Sequence, residues 1–93
     1  MVVGLLRVHL HIPFSQSLKD KRSVLKRAIH HLRTSYNCAV GEVDDQDLWQ
    51  SAVLAIATVY SSREQVDSLF QAIERDLSRG EDFQLLDHQI EYL

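Results

Sequence analysis

The sequence predicts an α+β sandwich in which a four-stranded antiparallel sheet carries two helices on one face. Three observations predict it: apolar side chains recur with a period of two in 6–12, they recur with a period near 3.6 in 18–36 and again in 61–80, and 52–60 is an almost unbroken apolar run rich in β-branched residues. A chain of 93 residues, 45% of them hydrophobic, suits one domain over 1–93. So short a chain builds a thin core with little volume for a deep pocket.

Each element follows from local chemistry. Leu6, Val8, Leu10 and Ile12 alternate with Arg7, His9 and His11, which gives the first strand one apolar and one polar face, and Pro13 closes it. Ser15 and Ser17 offer N-cap oxygens to a helix over 18–36, where Leu18, Leu25, Ile29, Leu32 and Tyr36 share one face. Residues 38–43 have β character, the cluster Asp44, Asp45, Gln46 and Asp47 reads as a turn, and 52–60 reads as an interior strand. Ser61 and Ser62 followed by Glu64 and Gln65 match a capping box for a second helix built on Val66, Leu69, Phe70, Ile73 and Leu77, which stops near Gly80. The last strand covers 83–93, and its alternation is confused at Leu85 and Leu86, where a bulge is expected.

The order β-α-β-β-α-β with right-handed crossovers is the ferredoxin-like arrangement, sheet order 4-1-3-2, with one sheet face left open. Arg7, His9 and His11 lie on that open face, beside either Val53, Ala55, Ala57 and Val59 or Leu54, Ile56 and Tyr60. An open aliphatic face is expected to pack on another subunit. The candidate interface residues are Trp49, Val53, Leu54 and Ile56, and a homo-oligomer is the corresponding partner expectation.

Two stretches carry a family resemblance. Residues 10–26 (LHIPFSQSLKDKRSVLK) and 42–50 (EVDDQDLWQ) resemble the two signatures of the YlxP-like family, a bacterial domain of unknown function, and the resemblance extends over the whole chain in length and element order. Asp45 stands where that family more often has His or an aromatic residue. The resemblance implies a ferredoxin-like fold and no assigned enzymatic activity or catalytic residue. Genes of the family often neighbour those for transcription termination, translation initiation and ribosome maturation, which implies an RNA-related setting.

The charge map is independent of that resemblance. The net charge of −3 argues against a polyanion partner until it is divided by segment: Lys19, Lys21, Arg22, Lys26, Arg27 and Arg33 against Asp20 give 19–33 a charge of +5, leaving −8 elsewhere. On a helix Lys19, Arg22, Lys26, His30 and Arg33 fall within an arc of about 80° and span about 21 Å along the axis. These residues are the candidate nucleic-acid contacts, with Arg27 at the margin of the stripe. Like charges four residues apart cost a helix about 0.2–0.5 kcal/mol each, so the stripe calls for a neutralising partner. The acids Asp67 and Glu74 on the second helix do not supply it, because right-handed crossovers point the two flanks away from one another.

Other chemistries are weakly supported. Cys38 is the only cysteine, so neither an internal disulfide nor a multi-cysteine zinc site is expected, and the chain reads as a reduced, cytosolic protein. The apolar N-terminus meets Arg7 before any signal peptide or spanning segment can form, so no membrane association is expected. His9 and His11, about 6.6 Å apart on one strand face, lack a third ligand nearby in sequence, and Glu42, Asp44, Asp45 and Asp47 suit turn and capping roles better than an ion. No metal or cofactor is expected. Trp49 is expected as a core anchor under its connection, with base stacking as the less common use of such a residue. Glycine-rich phosphate loops and nucleophile elbows are absent, and 13–17 does not match the arginine-bearing loop of acylphosphatases. The expectation is a non-enzymatic module for structured RNA or a ribonucleoprotein, and the alternative is a self-associating or adaptor domain.

Overall fold

The computed structural model describes residues 1–93. The elements are β1 (Val2–His11), α1 (Leu18–Ser35), β2 (Ala39–Asp44), β3 (Ser51–Tyr60), α2 (Arg63–Ser78) and β4 (Gln84–Tyr92), and the antiparallel sheet has the order β2-β3-β1-β4. This is the expected ferredoxin-like arrangement. β1 begins at Val2, ahead of the clean alternation, because it pairs along its whole length with β3, from Val2 opposite Tyr60 to His11 opposite Ser51.

The irregularity anticipated in the last strand is present. The β1–β4 register shifts between His9, opposite Asp87, and Leu10, opposite Leu85, which leaves Leu86 unpaired and turned to solvent. A similar shift in β2 leaves out Val43. Local caps bound the helices. Ser17 Oγ accepts from the Asp20 N–H at 3.0 Å, and Ser62 with Gln65 completes the capping box of α2.

Antiparallel register decides which face of β3 is buried. Directly paired side chains lie on the same side of a sheet, and Leu6 and Val8 stand opposite Ile56 and Leu54. Leu54 and Ile56 are therefore fully buried under the helices with Leu6, Val8, Leu10, Leu25, Leu32, Val66, Phe70 and Ile73. They cannot form an interface on the open face, and that expectation is corrected. Val53 does point to the open face, yet it is only 7% exposed between its paired neighbours His9 and Asp44. The open face is carried instead by Ala55, Ala57 and the half-exposed Val59. At the far end of β1, Gly4 lets α2 approach closely, since a Cβ there would stand 2.4 Å from Val66 Cγ1.

Candidate functional site

Three fates divide the cations of α1. Lys21 points inward, is 1% exposed, and its Nζ donates to the carbonyls of Asp45 (2.6 Å), Leu48 (2.7 Å) and Ser51 (2.8 Å). Those bonds use the ammonium's donors, and Glu42 Oε2 at 2.8 Å supplies the compensating charge. Arg27 and His31 turn toward α2 and the loop after it, where Arg27 Nη2 lies 3.3 Å from Asp82 and His31 Nε2 2.7 Å from Asp76. Arg22, Lys26 and Arg33 turn the other way, and neither they nor Lys19 have a carboxylate within 4.0 Å.

Arg22, Lys26, His30 and Arg33 line a groove of about 770 Å³ between α1 and β2, with Leu25, Ile29 and Val40 as its apolar floor and Arg27, paired with Asp82, at its margin. The groove opens where β2 is an edge strand with no further strand beside it, and Gly41 contributes only backbone to the lining. Arg33 Nη2 donates to the Val40 carbonyl at 2.7 Å, which caps part of the strand edge and leaves other guanidinium donors free. Glu42 is the only acid in the lining, and Lys21 occupies it. Asp67 and Glu74 face β4, where Asp67 accepts from the Tyr92 hydroxyl and Glu74 Oε1 lies 3.1 Å from His88 Nε2, on the side the crossover handedness requires. The five candidate nucleic-acid residues thus lie along one flank, and four of them line one groove.

Lys21 belongs to the basic run by sequence, and its burial is the chief feature that charge counting misses. Its spacing carried a signal, since it precedes Leu25 by four residues and so shares the core-facing side of α1. The clamp also explains Trp49. With the carbonyls of Asp45 and Leu48 drawn inward to Nζ, the Leu48 and Trp49 side chains face out, 51% and 55% exposed. The expectation of a buried anchor is overturned.

The residues around the clamp are bonded among themselves. Asp45 has a φ of 58°, a left-handed conformation that Asp tolerates better than most residues. Its carboxylate accepts from Ser51 Oγ at 2.7 Å, and His9 Nε2 lies 2.7 Å from the same hydroxyl. The serine proton is committed to the carboxylate, so the imidazole is the donor and this is not the order that activates a nucleophile. His11 Nδ1 lies 3.1 Å from the Gln50 carbonyl, and Asp44 pairs with Arg7 at 3.1 Å. No group of three or more His, Cys, Asp or Glu side chains is placed to hold a metal ion. Burial raises the Cys38 thiol above its ordinary pKa, which keeps it protonated near neutrality.

Asp76 joins the helices. Burial alone would raise its carboxyl, but hydrogen bonds from Tyr36 and His31, together with the His31 charge, outweigh burial and hold it below the usual carboxylate range. The same bond to Asp76 raises the Tyr36 phenol.

Comparison with known proteins agrees with the two signature stretches. Residues 3–90 match the family described as "Protein of unknown function (DUF503)". The chain is 40% identical over 78 aligned residues to the "Uncharacterized protein YlxP" of Bacillus subtilis (strain 168), with 72% of this chain and 84% of that protein covered. Among solved structures it is similar to "De novo designed protein Foldit4", with a TM-score of 0.50 at 16% identity, covering 99% of this chain and 94% of that one, a likeness of fold alone. No helix is long and apolar enough to cross a membrane.

Proposed function

The chain belongs to the DUF503 family, whose function is unknown, and on that premise we propose that it is a non-enzymatic cytosolic module that binds RNA or a ribonucleoprotein through the phosphate backbone laid along α1. One observation carries this reading: Lys19, Arg22, Lys26 and Arg33 lack any ion-pair partner, whereas Lys21 and Arg27 on the same helix are paired. Unpaired cations in a row repel one another, and a polyanion relieves that repulsion while releasing its own counterions. Such contacts position a strand without reading its sequence.

The test is binding of labelled RNA across a salt series. Engagement of these four cations should give a slope of log K against log salt near −3 for a single strand, at about −0.7 per phosphate. Lys26→Glu combined with Arg33→Glu should abolish binding and leave the circular dichroism spectrum unchanged. Salt-insensitive binding, or none by the wild-type chain, refutes the reading.

The open sheet face supports a second reading, self-association, because no helix covers Ala55, Ala57 and the 49%-exposed Val59. Sedimentation of the wild-type chain decides it, and a monomer in dilute solution would exclude it.

A further inference from the structure

We propose that the RNA taken by this module is unpaired where it meets the β2–β3 loop, and that the Trp49 indole stacks on one of its bases. The inference rests on the α1 reading and narrows its substrate class from RNA in general to a strand with a single-stranded segment.

Trp49 is held out by construction. Lys21 fixes the loop through the carbonyls of Asp45, Leu48 and Ser51. From the other side Gln50 Nε2 donates to the carbonyls of Pro13 (3.2 Å) and Ser15 (3.0 Å), and the Ile12 N–H donates to Gln50 O at 2.9 Å. Trp49 therefore stands between tied neighbours and is still 55% exposed, and Phe14, in the loop to which Gln50 is tied, is 79% exposed. The tied backbone fixes where the exposed indole stands before any ligand arrives, so stacking costs little further ordering of the loop.

Position links this platform to the cations. Lys21 lies in the first turns of α1, between Lys19 and Arg22, and its Nζ touches the Leu48 carbonyl one residue before Trp49. The loop that carries Trp49 is accordingly tied to the N-terminal turns of the helix that bears the unpaired cations, and Trp49 borders a shallow cleft with His11 and Gln50. A basic track ending on an aromatic face is the arrangement used for single strands, where phosphates follow the charges and bases stack on rings. A duplex satisfies the charges but keeps its bases stacked on one another, out of reach of the indole.

Trp49 is the only tryptophan, so its fluorescence reports the site directly. The full chain is titrated with oligo(rU), with a blunt RNA duplex and with heparin, following both tryptophan emission and ligand anisotropy. Oligo(rU) should quench the emission, while the duplex and heparin should bind in a salt-dependent way without quenching. Trp49→Ala should weaken oligo(rU) binding by about 5- to 150-fold, the range that stacking of one base implies, and should leave heparin affinity and the salt slope as they were. Trp49→Phe, which keeps a stacking face, should restore most of the loss. Salt-dependent binding of oligo(rU) that is indifferent to Trp49→Ala, or equal quenching by heparin, overturns the stacking proposal and leaves the α1 reading intact. A Trp49→Ala variant that changes the sedimentation of the chain but not its RNA affinity also overturns it, and marks the loop as a protein contact. Failure of all three ligands to bind removes both readings together.

Discussion

The two flanks of α1 are made of similar residues and treated in opposite ways. On the side facing α2, Arg27 and His31 meet Asp82 and Asp76, so each has a carboxylate partner within the chain. On the side facing β2, Arg22, Lys26 and Arg33 look across a groove at an edge strand whose single acid there, Glu42, is already taken by Lys21. Residue type alone does not distinguish them. What matters is whether the neighbouring element presents a free carboxylate, and the handedness of the crossovers sends the acids of α2 either under α1 or away toward β4. A cation that the fold neutralises is part of the architecture; one that it leaves unneutralised is available to a ligand.

If this division is right, substitutions on the paired side and in the core lower stability, while those on the free flank do not. Lys21→Met should have the largest effect, about 3–5 kcal/mol by urea denaturation, because it strands the Glu42 carboxylate and three inward carbonyls. A loss below about 1 kcal/mol would mean that the clamp is dispensable. Asp76→Asn should cost about 1 kcal/mol at neutral pH, allowing for partial solvation of the site. The sign with pH follows from the direction of its shift. The folded carboxyl has the lower pKa, so its contribution is present above the unfolded value near 3.9 and is lost as pH falls through the folded one. The Tyr36 phenol has the higher pKa when folded, so its part is lost only in alkali, above about 10. Thermal melts of wild type and variant should converge at acid pH.

The exposed pair Arg27–Asp82 should show a coupling of about 0.2–1 kcal/mol in a double-mutant cycle, shrinking with salt. Arg22→Glu should have the smallest effect and the opposite sign. It places a carboxylate four residues before Lys26, so it should leave stability unchanged or raise it by up to about 0.5 kcal/mol, even as RNA affinity falls. A clear loss of stability in that variant would show that the free flank is structural after all.

Much of this was legible in the chain. The alternation of Leu6, Val8 and Leu10, the capping serines and the apolar face of α1 marked the elements, and the irregular pair Leu85 and Leu86 marked the bulge. The side of α1 on which the stripe would lie also followed, from helical spacing and crossover handedness. The buried face of β3 was within reach too. Either set of its residues is apolar, and only the register opposite the already committed Leu6 and Val8 selects Leu54 and Ile56 for the core.

Lys21 and Trp49 lay further off, because both depend on contacts between segments distant along the chain. Lys21 Nζ reaches carbonyls 24 to 30 residues away, and Arg27 reaches Asp82 at a separation of 55. Hydrophobic period, caps and the sum of charges are local properties and belong to the chain before it folds. Which charges are left over, and whether an indole faces the core or the solvent, depends on which groups folding brings within about 3 Å of one another, and only the assembled sandwich settles that.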